Sequence, residues 1–206
     1  MKNILTLDDF KAMLVRALEQ IKAREEEFSQ LDAIIGDGDH GTAIVTAFSA
    51  AVKAAEESTD FKSMLNTVGL DVMLLTGGST STLLGAFFLG MSDSVSGTEL
   101  DALAVKALFA GGLANVSKQT KAKKGDKTMM DALIPAVEAI LASESSDIAE
   151  LLSAAAVAAA EGAARTLNMK ANFGRARNYG ERSIGTIDSG AASWAAMFSA
   201  FSDVIK

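Results

Sequence analysis

Cysteine is missing from all 206 residues, which excludes disulfides, thiolate nucleophiles, zinc–thiolate centres and iron–sulfur clusters. A single histidine excludes a multi-histidine metal site. A metal bound here would have to be held by carboxylates, which suit a hard ion such as Mg²⁺. One proline leaves few forced interruptions of helix, and aromatic residues make up only 6% of the chain. Base is short too. The 19 Lys and Arg against 26 Asp and Glu give a net charge of −7, the wrong sign for a protein that must neutralise nucleic-acid phosphates. The longest apolar run, Leu151 to Ala160 with Ser153 inside it, is bounded by Glu150 and Glu161. It falls far short of the roughly 20 residues a membrane helix requires. Asp8 and Asp9 stand where a signal peptide would place its apolar stretch. The expectation is a soluble cytoplasmic protein with no nucleic-acid partner and no membrane span.

What is present favours helix. Hydrophobic residues form 49% of the chain, and alanine and leucine dominate them. Apolar spacing and capping signals predict about eight helices in a single domain covering residues 1–206. The first opens at the capping box Thr6 to Asp9 and runs to about Ser29, with Phe10, Leu14, Leu18, Ile21 and Phe28 as its apolar stripe. Further helices are expected from Gly41 to Glu57, Asp60 to Leu75, Thr80 to Ser92 and Thr98 to Ser117. The sixth starts at Thr128, with a kink at Pro135, and the last two span Asp147 to Asn168 and Ala191 to Ile205.

The connections carry the unusual residues. Asp32–Gly41, Thr76–Ser79, Lys121–Thr128 and Asn168–Gly190 are rich in glycine together with charged or hydroxyl side chains. In an up-and-down bundle alternate connections fall at the same end. These are the loops after helices one, three, five and seven, so one end should collect all of them.

The first loop reads Asp32-Ala33-Ile34-Ile35-Gly36-Asp37-Gly38-Asp39-His40-Gly41. In extended backbone Asp37 and Asp39 point the same way, and Asp32 can complete a triad. Three converging carboxylates repel unless divalent cations offset them. The helix that follows aims its N-terminal amides at the same place, which suits an anion. An isolated Asp-Gly-Asp is more often a solvated turn, and an EF-hand is excluded because Phe48 stands where its twelfth-position glutamate would be. His40 is open to two roles, capping or a nucleotide contact. Thr76 to Thr82 could cradle phosphate or simply cap a helix. Lys123 to Met129 looks superficially like a Walker A loop but lacks its adjacent Gly-Lys-Thr and preceding strand, leaving a cationic helix start. The long Asn168–Gly190 segment brings Lys170, Arg175, Arg177 and Arg182 to an otherwise acidic chain. Guanidiniums beside a carboxylate–metal loop are what phosphoryl transfer requires.

These motifs resemble the L subunit of dihydroxyacetone kinase. The matching segments are Asp32 with Gly36 to Gly41, Gly77-Gly78-Ser79, Gly125 to Met129 with Asp131-Ala132-Leu133, Gly174-Arg175-Ala176, and Gly180-Glu181-Arg182-Ser183-Ile184-Gly185 with Asp188 and Gly190. They occur in family order over nearly the whole chain. The resemblance implies an all-α, eight-helix antiparallel up-and-down barrel with a nucleotide at one end. It implies that Asp32, Asp37 and Asp39 ligate two Mg²⁺ ions. His40, Gly41, Thr42, Ala43, Ser79, Thr80, Thr120, Met129, Arg175, Asp188, Ser189 and Gly190 would surround ADP or ATP. Arg175 would stabilise transferring charge, and the loop around Arg182 would order over the site. The acceptor, dihydroxyacetone or a related small ketose, would sit on a separate K subunit. In bacterial relatives a phosphotransferase-system phosphohistidine protein can recharge a retained ADP. Two alternatives stand beside this: the nucleotide domain of a fatty-acid-kinase-like enzyme, and an ADP-loaded regulatory subunit that binds a transcription factor. The chain departs from the family pattern at Ala43 (asparagine), Ser81 and Thr120 (glycines), Thr186 (histidine) and Ser189 (proline).

Overall fold

The structure, a computed structural model, describes residues 1–76 and 78–206. Gly77, part of the expected Gly-Gly-Ser motif and of the helix stop at Thr76–Gly78, lies outside the described residues. Nine α-helices are present among those described. The chain enters as strand β1 (Ile4–Thr6) and passes into α1 (Leu7–Ala23), α2 (Glu25–Ile35), α3 (His40–Ala55), α4 (Phe61–Met73) and α5 (Gly78–Ser92). Strand β2 (Glu99–Asp101) precedes α6 (Ala102–Gln119), α7 (Met130–Ala142), α8 (Ile148–Arg165) and α9 (Ser189–Val204).

Eight of the helices close a ring. In order α1, α3, α4, α5, α6, α7, α8 and α9 each pack on the next, and α9 returns to α1. Short connections between packed neighbours make them antiparallel, so the expected eight-helix barrel is the observed architecture. Its interior is filled by buried side chains, among them Phe10, Phe61, Phe87, Phe109, Phe198 and Phe201. Edge and tilted ring contacts run through it, with Phe87 lying 5.1 Å from Trp194 and Phe109 lying 5.9 Å from Phe198. No helix among the described residues is long and apolar enough to cross a membrane.

Three local features differ from expectation. The first helix does not run to Ser29. It stops at Arg24 (φ −117°, ψ 14°) and restarts as α2, which packs on α3 and α9 rather than joining the ring. Ile21 and Phe28 are both buried and seven residues apart, the spacing of an unbroken helix, so the period could not reveal the break. Arg24 then pairs with Glu27 through two bonds of 2.8 and 2.7 Å on the new first turn. The β1–β2 ribbon was not expected either. It pairs Leu5 with Leu100 in antiparallel register, and three-residue strands so far apart in the chain give no periodic signal. Finally, Asp101 rather than Thr98 caps α6, accepting from Ala104 N at 2.8 Å.

Pro135 lies inside α7, which continues on both sides of it. A proline donates no backbone hydrogen bond to the residue four back, here Asp131, and the Asp131 carbonyl instead faces Gly162 of α8. A methyl group at Gly162 would overlap that oxygen, so the close α7–α8 approach depends on glycine.

Candidate functional site

All four unusual connections border one cavity of about 770 Å³ at a single end of the barrel. The helices that begin there are α3, α5, α7 and α9, and residues of each first turn, Thr42, Thr80, Met130 and Gly190 among them, line its wall. Four helix N-termini therefore border one space, and the positive ends of their dipoles give it a potential that suits an anion.

Against that potential stand the carboxylates. Asp32 lies on the last turn of α2 and Asp37 and Asp39 follow it, each offering an oxygen within 4.8 Å of the others. Gly38 adopts φ +80°, a turn that glycine makes freely, and this aims its N–H at Asp32 Oδ2 at 2.8 Å. The Ser189 hydroxyl donates to Asp32 Oδ1 at 3.3 Å. Asp32 is thus held through both oxygens, whereas Asp37 and Asp39 are exposed. Arg175, from the basic loop, pairs with Asp37. A set of three carboxylates with no nitrogen or sulfur donor fits a hard divalent cation such as Mg²⁺.

His40 is not part of that set. Its Nδ1 lies 3.2 Å from Thr80 Oγ1 and its Nε2 lies 2.9 Å from Ser193 Oγ. Ser193 donates its own proton to the Gly190 carbonyl at 3.0 Å. The assignment that satisfies all three bonds has Nε2–H donating to Ser193 and Nδ1 accepting from Thr80. Burial lowers the His40 pKa, with Asp32 and the Ser189 carbonyl pulling the other way, so the ring is neutral. It braces the starts of α5 and α9 against α3.

The remaining expected contacts divide. His40, Thr42 and Ala43 line the cavity from α3, Ser79 and Thr80 from α5, and Thr120 from the end of α6. Met129, Arg175, Asp188, Ser189 and Gly190 also reach it. Gly41 and Arg182 do not. Gly41 faces α2 instead, where an added methyl would strike the Glu25 carbonyl and the Ser29 hydroxyl. Arg182 is exposed, with its guanidinium 5.7 Å from the Tyr179 ring centroid.

A buried charged floor gives no signal in the sequence. Lys127, expected at a cationic helix start, is only 1% exposed and lines the cavity. Asp131 is equally buried and accepts from Gly125 N at 2.5 Å and Thr128 N at 2.9 Å, which shapes this loop. Asp188 lies deep in the fold but partly open to the cavity. Its carboxyl is pushed up to about 7, chiefly by burial. The Ala191 N–H and Lys127 oppose that rise, while Asp131 and Asp32 add to it. No local pattern marks a lysine for burial; its partners, the Thr166 and Thr186 carbonyls, come from far along the chain.

The model of the DAK2 domain family matches residues 34–203. The ADP-binding subunit DhaL of PEP-dependent dihydroxyacetone kinase 1 from Listeria innocua is 34% identical over 184 residues, 88% of each chain. The L-erythrulose 1-kinase of Mycolicibacterium smegmatis is 31% identical over 92% of this chain, which spans 34% of that enzyme. Among solved structures, the Citrobacter freundii dihydroxyacetone kinase in complex with AMP-PNP and Mg²⁺ superimposes with a TM-score of 0.72 at 26% identity. The superposition covers 94% of this chain and 33% of that one.

Proposed function

Since this chain belongs to the DAK2-domain family, we propose that it is the nucleotide-binding subunit of a ketose kinase. It would hold ADP or ATP with Mg²⁺ and pass a phosphoryl group to dihydroxyacetone or a related small ketose carried by a separate K-type subunit. The observation that carries this reading is the meeting of the Asp32–Asp37–Asp39 cluster with four helix N-termini in one cavity. The carboxylates suit divalent cations, and the amides suit the phosphates those cations would accompany. The names of the relatives support the acceptor class, since they are dihydroxyacetone and erythrulose kinases.

In this reading Asp32, Asp37 and Asp39 hold two Mg²⁺ ions. When bound, these ions neutralise phosphate charge and polarise the transferring group. The N-terminal amides of α3 and α5 orient the phosphates. Arg175, already at the carboxylates through Asp37, supplies a forked cation for charge that develops in transfer. No general base is needed in the chain, because phosphoryl transfer depends mainly on positioning and electrostatics. His40 stays neutral and fixes Thr80. Arg182, outside the cavity, would act only through the order of its loop.

The "PEP-dependent" names of relatives favour a resident ADP recharged by a phosphohistidine protein of the phosphotransferase system over exchange with ATP. Mass spectrometry of the purified native protein is the test: retained ADP is expected, and an empty site that binds ATP on addition would favour exchange. The wider reading is tested with Asp37→Asn. This variant should keep the wild-type circular dichroism spectrum and lose Mg²⁺-dependent ADP binding and transfer. Wild-type binding and turnover would remove the metal cluster from the mechanism.

A further inference from the structure

The basic loop leaves the barrel after Thr166 and returns at Thr186, and both ends are gripped by one side chain. Lys127 Nζ donates to the Thr166 carbonyl at 2.7 Å and also to the Thr186 carbonyl. The backbone beside it closes the same neck, with Gly185 N donating to the Leu167 carbonyl at 2.8 Å. One residue earlier, Asp126 holds the outgoing arm. Its side chain accepts from Asn172 Nδ2 at 3.0 Å and its carbonyl accepts from Asn172 N at 3.1 Å.

Lys127 reaches this position by an unusual route. It is the one non-glycine residue with positive φ among those described, at +60°. The left-handed conformation is unfavourable for an L side chain and persists only where the surroundings enforce it. The result is a buried ammonium whose charge faces Asp188 and Asp131. Two of its three N–H groups are spent on the carbonyls at the neck. A buried lysine in a strained backbone is an expensive way to build a turn, and a chain that needed only a turn could place glycine there.

We propose that Lys127 is a positioning residue: it fastens the neck of the 167–185 loop and thereby holds Arg175 over the carboxylate cluster. Its carbonyl bonds fix where the loop leaves and re-enters the barrel, and Arg175 lies within the segment so fastened. The fastening is a property of the fold. Its consequence for ligand binding rests on the function proposed above.

The test uses the full chain, with Lys127→Gly and Lys127→Arg. Glycine accepts φ +60° freely, so the first variant removes the ammonium without adding strain, while arginine keeps the charge and several donors. Amide hydrogen exchange over residues 169–185, with no ligand added, should quicken about tenfold in Lys127→Gly and return toward wild type in Lys127→Arg. Trypsin cleavage after Arg175, Arg177 and Arg182 should follow the same order. Exchange in the barrel helices should stay as in wild type. Unchanged loop exchange in Lys127→Gly would overturn the fastening. If that variant does not fold, Lys127→Met, which fills the space and offers no donor, gives the same reading. Mg²⁺·ADP affinity tests the positioning role: it should weaken in Lys127→Gly and recover in Lys127→Arg. A loosened loop with wild-type affinity would overturn that role. Failure of the wild type itself to bind Mg²⁺·ADP would count against the proposed function alone, since the exchange measurement uses no ligand.

Discussion

The hydroxyl of Ser189, at the start of α9, donates across 3.3 Å to Oδ1 of Asp32, at the end of α2. The two residues are 157 positions apart. The contact matters because Asp32 Oδ2 is already taken by Gly38 N. Ser189 supplies the second restraint and so fixes the plane of the carboxylate that anchors the cluster.

Removing that restraint should loosen metal binding before it affects the fold. Ser189→Ala leaves the α9 cap intact, because Asp188 provides it. Affinity for Mg²⁺ or Mn²⁺ is expected to fall about tenfold, as for other groups that orient metal ligands. Isothermal titration with Mn²⁺ reads this directly, and unchanged affinity would show that Asp32 needs only Gly38.

Asp188 should give stability a pH dependence of defined sign. Its folded pKa of about 7 lies above that of an unfolded aspartate. Such a group contributes stability fully below its unfolded pKa and loses it as pH rises through the folded value. Asp188→Asn keeps an acceptor for Ala191 N and removes the charge. Free of metal and nucleotide, this variant should melt near wild type at about pH 4 and increasingly above it between about pH 5 and 8. Thermal melts by circular dichroism across that range check it. A pH-independent difference would mean that the folded carboxyl is not raised above its unfolded value.

Gly41 lets α3 approach α2 closely. Gly41→Ala would push a methyl into the Glu25 carbonyl and the Ser29 hydroxyl. Overpacking of this kind costs about 1–3 kcal/mol. Since α2 leads directly into the carboxylate loop, metal affinity should fall together with stability. Denaturant titration and Mn²⁺ binding measured on the same variant would test the linkage.

Phe87 connects the barrel interior to the site. Its ring meets Phe88, Phe109 and Trp194, and Trp194 lines the cavity. Phe87→Ala should cost about 3–5 kcal/mol of stability, the usual range for a buried phenylalanine. Urea unfolding measures this, and a loss below about 1 kcal/mol would indicate that the neighbouring rings close the gap.

Much of this architecture is legible in the sequence, for identifiable reasons. Thr6, Asp60 and Asp147 mark helix starts because capping is a local bond to an amide two or three residues on. The carboxylate cluster is legible because its members lie within eight residues and glycines separate them. Loop parity then brings the distant Arg175 to the same end. The break at Arg24 and the Leu5–Leu100 pairing are not legible, since one preserves helical spacing and the other joins distant segments.

The sequence by itself therefore determined the helical class, the single crowded end and the oxygen-only character of any metal site, all of which follow from composition, period and local order. Tertiary structure alone decided that Lys127 is buried, that Gly41 packs against α2 and that Arg182 lies outside the cavity wall. It also decided that Ser189 restrains Asp32. Each of these depends on which side chains from far along the chain occupy the neighbouring space. Burial, hydrogen bonding and close approach are set by that company, and no local pattern encodes it.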